Sequence, residues 1–346
     1  MSSSTQVTDF SDLIRDLLNR VRDSTTSGGT PETIAKRYLN IALHDVHLQQ
    51  NWPWAERNAV VLTRGTYTTG TVSIASTART TLEGSGSLWN TAIAGMGFNN
   101  MRARGKLTIS GETEVYIVSS VSSDTAGVLE SRYVGSPTVA SAYPVAYSDY
   151  TYYEDEYELA SDFWRLVDAR QFGDGVDIPI MSKQDFFRKY PRNTTTDKPR
   201  ICTILELGPS GSTAQRPRVL FHPAPNAIYQ IPYRYITTNL AVSSTGTFAA
   251  NLSADTDEPI IPLRYRHVLV LHALYQWYRD RKDDQRTQLA QSDYVDLVKR
   301  MANDSDPQRD RPSFRTSRSR YSAPLRWVSN RSRRYSGDDR FDTLRD

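Results

Sequence analysis

Cysteine is almost missing from this chain: Cys202 is the single one in 346 residues. A lone cysteine excludes an intrachain disulfide and a cysteine-rich zinc site. Cys202 lies in the strand-like run RICTILEL and has no histidine near it in sequence. It reads as a small buried apolar side chain rather than a nucleophile. Long apolar runs are missing too. No stretch approaches ~18 consecutive apolar residues, so no membrane-spanning helix is expected. The opening MSSSTQVTDF has neither a basic nor an apolar segment and does not read as a secretory signal.

The signatures of catalysis are also missing. There is no Gly-x-Ser-x-Gly elbow and no His-Glu-x-x-His pair. The glycine-bearing GPSGSTAQRP at 208–217 lacks the Gly-Lys-Ser/Thr ending of a phosphate loop and reads as a hairpin connection. His44 and His47 can share a helix face, but they are half a metal set with no third ligand nearby. His267 and His272 sit in an apolar helix and read as core-edge residues. Glu154-Asp155-Glu156 raises the question of paired carboxylates for acid–base work. Strand alternation would place Glu154, Glu156 and Glu158 on one face, which favours a solvated or salt-bridging surface. The expectation is a protein that is not an enzyme and takes no metal or cofactor.

What the chain does have is tyrosine, with 20 residues, six tryptophans, and an uneven distribution of charge. Residues 309–346 hold eleven arginines, no lysine and five aspartates, a net of +6. The whole chain is only +3, so the first 308 residues are mildly acidic at −3.

Hydrophobic periodicity predicts an α+β fold. A first helix over Asp9–Asp23 carries Phe10, Leu13, Ile14, Leu17, Leu18 and Val21 on one stripe, with Asp9 as its cap. A second starts at Thr30-Pro31-Glu32, uses Ile34, Tyr38, Ile41, Ala42 and Val46 as its apolar face, and must stop before Pro53. Trp52 and Trp54 flank that stop. A strand follows at 55–65, and from 65 to 147 the pattern is β throughout, a small sandwich or barrel inserted into a helical host. Residues 150–158 read as a strand returning to the host, and Ser161-Asp162 as the cap of a helix that buries Phe163, Trp164 and Leu166. A short helix is expected at Ser182–Tyr190. Strands follow at RICTILEL, RVLFHP and YQIPYRYITTNL, the last two joined as a hairpin through Pro223-Ala224-Pro225-Asn226. Two C-terminal helices close the fold. One contains His272 and Trp277. The other, over Gln285–Ala302, has Leu289, Tyr294, Leu297, Val298 and Met301 inside. The division is therefore 1–64, N-terminal helices and first strand; 65–147, the inserted β domain; 148–304, the rest of the helical core with its hairpins; and 305–346, an extended tail.

The tail is too rich in Arg and Ser, and too poor in aliphatics, to bury a core of its own. It nevertheless keeps anchors: Phe314, Tyr321, Leu325, Trp327, Tyr335 and Phe341, interleaved with Arg318, Arg320, Arg326, Arg331, Arg333 and Arg334. Three readings stand: contact with nucleic acid through guanidinium–phosphate pairing, docking on an acidic protein partner, and a merely solvated tail. Docking is favoured, and the choice of arginine over lysine points to bidentate, geometry-specific pairing with carboxylate or phosphate. Trp52, Trp54, Trp164 and Trp277 are assigned to core packing or subunit contact.

The order of parts is itself informative. Asn51-Trp52-Pro53-Trp54 ends the helix pair. Ser161-Asp162-Phe163-Trp164-Arg165-Leu166 follows the acidic-aromatic strand. His222-Pro223-Ala224-Pro225-Asn226 and Tyr233-Arg234-Tyr235 come next, and Ile260-Ile261-Pro262-Leu263-Arg264-Tyr265-Arg266-His267 opens the last helices. Over about residues 10–302 this composite resembles the head–tail connector (adaptor) proteins of tailed bacteriophages. The β segment and the long Arg-rich tail depart from that family's minimal pattern. The resemblance implies a structural virion protein at the head–tail junction, made in the host cytoplasm. It would form a homo-oligomeric ring of about twelve subunits. Its partners would be the portal protein, a tail or nozzle protein, and genomic DNA passing without sequence-specific binding, with no membrane. A nucleic-acid-binding protein using the tail and a carbohydrate-binding protein using the β segment are the alternatives from other classes.

Overall fold

The computed structural model describes residues 7–21, 31–74, 78–135, 148–169, 177–205 and 217–305. It is mixed, 31% helical and 30% strand, an α+β chain. Helix α1 (Phe10–Val21) buries Phe10, Leu13, Ile14, Leu17 and Val21. Its start is fixed by Asp9, whose carboxylate accepts the Asp12 N–H at 2.9 Å, the cap the sequence calls for. Helix α2 (Pro31–Gln49) starts at its proline and buries Ala42 and Val46 of the expected face, but its inner stripe is rotated to include Ala35, Leu39 and Leu43. Ile34 and Tyr38 pack only at the edge of the cluster. Small residues on the inner face let neighbouring helices approach, a preference that a count of large apolar side chains overlooks.

The chain leaves α2 through a 3-10 turn at Pro53–Ala55. Trp52 is fully buried there. Its indole N–H donates to the Val46 carbonyl at 2.7 Å, satisfying one of the four acceptors that a helix leaves open in its last turn. Trp54 stacks on it with ring centroids 4.5 Å apart.

Strands β1 (Glu56–Leu62), β2 (Thr71–Ile74), β3 (Thr81–Ser85), β4 (Lys106–Ile109), β5 (Tyr116–Val121), β6 (Ala126–Leu129) and β7 (Tyr150–Tyr153) follow. The last six form one antiparallel sheet in the order β2-β3-β6-β5-β4-β7. This sheet curls until its outer strands meet at two bridges, Val72 with Ser148 and Tyr67 with Tyr152. Trp89, Tyr133, Tyr150 and Tyr152 fill it together with aliphatic side chains. Tyr150–Tyr153 thus belongs to this sheet and not to a strand running on through residue 158.

The remaining elements are β8 (Glu156–Glu158), β9 (Phe163–Ala169), α3 (Lys183–Lys189), β10 (Thr196–Asp197), β11 (Ile201–Leu205), β12 (Arg218–His222), β13 (Ala224–Pro225), β14 (Gln230–Thr237), β15 (Ala241–Val242), β16 (Phe248–Ala249), β17 (Glu258–Pro259), α4 (His267–Asp280) and α5 (Asp284–Ser305). Two three-stranded sheets, β1-β14-β9 and β11-β12-β8, share an apolar layer that includes Val61, Tyr157, Phe221 and Tyr233. Short strands β10 and β13 pair with each other, and β16-β15-β17 form a small sheet.

Two expectations fail here for identifiable reasons. The segment after Ser161-Asp162 is strand β9, not a helix. Asp162 does not cap; its carboxylate accepts the Tyr235 hydroxyl at 2.8 Å and the Thr237 hydroxyl at 2.6 Å from the neighbouring strand. Likewise β12 and β14 are not a hairpin. β12 pairs with β11 and β8, whereas β14 pairs with β1 and β9, so Pro223–Asn226 carries the chain between sheets. The short helix is α3, capped by Ser182, which accepts the Asp185 N–H at 3.1 Å.

Helices from both ends of the described chain share one apolar cluster, with α4 at its centre. Val268, Leu269, Val270, Leu271, Ala273, Leu274 and Trp277 are all buried along α4. α5 buries only Ala290, Tyr294 and Met301. Leu289, expected inside, is 65% exposed because α5 offers α4 a narrow stripe. Trp52 and Trp277 lie within the cluster, and Trp54 and Trp164 pack against it.

Replacing Trp52 with alanine is expected to cost ~3–5 kcal/mol in urea unfolding, and replacing Trp54 less than half of that. Equal losses would contradict the burial difference. His47 gives a pH prediction. Burial, helped by the nearby charge of His44, lowers its pKa to about 4 from 6.5. A depressed histidine contributes stability that is complete above the unfolded value and is lost as pH falls from 6.5 toward 4. Unfolding at pH 7 and at pH 4 should therefore differ by about 3 kcal/mol more in the native chain than in His47→Leu.

Candidate functional site at the junction of the sheets

Two segments connect the curled sheet to the rest of the chain: residues 63–67 outward from β1, and 153–156 back into β8. Each carries charge into the interior. On the outward segment Arg64 is 3% exposed. Its main-chain N–H donates to the Tyr157 hydroxyl at 3.0 Å, and its guanidinium donates to the Asn99 carbonyl at 3.0 Å. The guanidinium also lies over the rings of Tyr67 and Tyr152, 5.1 Å from each centroid. Thr63 secures the segment to the core, its hydroxyl donating to the Ala227 carbonyl at 3.0 Å.

On the returning segment Glu154 and Asp155 are 2% and 1% exposed. Glu154 receives Arg102 bidentately, Nε at 2.9 Å and Nη2 at 2.5 Å from Oε2. It also accepts the Tyr152 hydroxyl at 2.6 Å and stands 4.0 Å from Arg64. Asp155 accepts Lys106 Nζ at 2.5 Å and Asn193 Nδ2 at 2.9 Å. The Tyr157 hydroxyl, which accepts from Arg64, donates to the Glu154 carbonyl at 3.1 Å, so one phenol ties both crossings together.

Burial dominates the electrostatics here. The phenols of Tyr152 and Tyr157 are pushed far above their ordinary value by desolvation, and further by the Glu154 charge beside them. Burial pulls Arg64 down, and Glu154 opposes that pull. Gly105 is dictated by this packing: a Cβ there would lie 2.0 Å from the Tyr152 hydroxyl oxygen.

The expectation that Glu154, Glu156 and Glu158 share one solvated strand face is therefore corrected. The strand breaks at 154–155, Glu154 turns into the junction, and only Glu156 and Glu158 reach the surface. There they line a cleft of roughly 470 Å³ with Val60, Phe98, Arg104 and Arg218. Arg104 pairs with Glu156 at 2.8 Å, and Arg218 with Glu156 at 3.6 Å and with Glu158 at 2.8 Å. Each of the three glutamates has an arginine partner, and these pairs tie the neighbouring strands together.

The other flagged residues are dispersed. Among the described residues no three His, Cys, Asp or Glu side chains form a metal set. Cys202 is buried, and burial pushes its thiol up to about 12. His44 meets Asn251 at 2.7 Å, and His272 meets Asp45 at 3.2 Å. The docking residues assigned to the tail, Phe314, Arg318, Arg320, Tyr321, Leu325, Arg326, Trp327, Arg331, Arg333, Arg334 and Tyr335, lie outside the described residues. Arg64, Arg102 and Tyr157 carry no local sequence signal of this role. The available signal was an acidic triplet embedded among tyrosines, a pattern that can supply carboxylate and hydroxyl to one buried network.

No protein-family model matches this chain, and no curated protein matches it.

Glu154→Ala would leave Arg64 buried without its countercharge. A loss of about 3–5 kcal/mol is expected by chemical denaturation. Glu158→Ala, at a side chain 51% exposed, should cost under about 1 kcal/mol. If the two variants lose the same stability, the junction is not the anchor described.

Proposed function

We propose that the chain is a structural virion protein, a head-to-tail adaptor that assembles as a ring between portal and tail and extends the DNA channel. The observation that carries the reading is the convergence of helices from both chain ends in one cluster, α1 and α2 with α4 and α5. Everything between them projects as sheets held at a fixed pose by the junction. On this reading the curled sheet is a small β domain inserted into a helical core. α5, with most of its length solvent-facing, belongs to the subunit surface, and the basic tail leaves from its end. The composite of motifs over residues 10–302 agrees with that arrangement.

The mechanism is assembly. Copies associate side by side in a ring of about twelve, matching a portal by closed symmetry. The segment 305–346 docks on the portal, with Tyr321 and Trp327 as anchors and Arg331, Arg333 and Arg334 paired to acidic groups at the rim of the contact. DNA passes through without being read in sequence. The protein acts in the virion, at the head–tail junction.

Electron microscopy of the purified chain with and without portal rings is the test. A closed ring that forms on the portal, and is lost with Tyr321→Ala/Trp327→Ala, is the expected result. Full binding by that variant removes the docking role. Salt-dependent retention of DNA without any portal binding would instead favour a nucleic-acid-binding protein.

A further inference from the structure

The sheet β1-β14-β9 ends on two unlike edges. On the β9 side the ladder is interrupted by register shifts at Arg234/Tyr235 and Ile236/Thr237, irregularities of the kind that blunt an edge against further pairing. On the β1 side the register runs unbroken from Glu56 to Leu62. The Thr63 N–H donates to the Tyr229 carbonyl at 3.0 Å. The two-residue alternation of an antiparallel ladder then turns the main-chain groups of Arg57, Ala59 and Val61 toward β14, and those of Asn58, Val60 and Leu62 outward. Among the described residues no strand pairs with that outer side. The strand contains neither proline nor lysine, and Val60 is 54% exposed. The cleft opens beside its last three residues, with Met96 and Phe98 in its wall.

We propose that the β1 edge receives an added strand, and that its occupant is the chain's own segment Leu325–Ser329. Three observations select this occupant. Leu325, Trp327 and Val328 are the one place beyond Ser305 where leucine, tryptophan and valine fall within four residues, a strand composition. The tether, residues 306–324, can span roughly 60 Å when extended. Such a tether holds the segment at an effective concentration on the order of millimolar, so a few main-chain hydrogen bonds are enough to populate the pairing. The basic tail and the acidic remainder of the chain, +6 against −3, attract each other. Alternation puts Leu325 and Trp327 on one side of an added strand. This inference is independent of the adaptor reading, since it concerns the isolated chain; where both hold, portal docking must draw the segment off the β1 edge.

Amide hydrogen exchange on the full-length chain tests it. The N–H groups of Asn58, Val60 and Leu62 are expected to exchange about tenfold or more slowly than in Leu325→Ser/Trp327→Ser. Val60→Pro removes only an outward donor, which an edge strand tolerates. It should abolish the slowing at Asn58 and Leu62 while far-UV circular dichroism stays unchanged. If Val60→Pro fails to fold, the double-serine variant decides alone. Equal exchange in the native chain and the double-serine variant overturns the proposal. Protection that grows with protein concentration, together with a dimer in sedimentation, overturns it in favour of a second copy on the same edge.

Discussion

A carboxylate taken out of water must find its partners already in place, and Glu154 imposes that condition on the whole middle of this protein. Its partners come from three places in the chain: Arg64 on one crossing segment, Tyr152 in strand β7 just before the other, and Arg102 on a loop of the curled sheet. Tyr157 of the core closes the set by bonding to main-chain atoms of both crossings. Breaking such a set strands a charge in a poor solvent, while an apolar replacement of the entire set would pack about as well. What the ions add is therefore geometry. Arg64 is satisfied in one relative pose of sheet and core.

The helical cluster has a comparable fixed point. Trp52 is fully buried in that cluster and also supplies the donor that the end of α2 lacks. Pro53 forbids the helix from continuing, so the indole takes over the role of the next turn's N–H. Placing the stop and the cap in consecutive residues sets the direction in which β1 leaves. That direction brings Arg64 to the junction, so the two fixed points act in series along a single strand.

Much of this was readable in advance where local chemistry decides. The N-cap at Asp9, the start at Pro31, the stop at Pro53, the cap at Ser182 and the β character of the segment after residue 65 are all set by residues within one turn of each other. The failures share a cause. Asp162 resembles a cap locally because its long-range partners, Tyr235 and Thr237, are more than 70 positions away. Alternation puts Glu154 at the surface only if the strand continues, and Arg64 and Arg102 carry no local mark of burial. Periodicity puts Leu289 inside because it does not say how many neighbours a helix has.

Sequence alone determined the element types where local chemistry decides, most of the punctuation between them and the separation of a mildly acidic body from a basic, aromatic-studded tail. These follow from backbone propensity, from donor and acceptor accounting at helix ends, and from net charge, all of which are local or additive. Tertiary structure alone decided which strands pair, which charges are buried and which edge stays open. Those depend on partners far apart in the chain, and the free energy of a buried ion or an unpaired edge is undefined until the partner is present or absent.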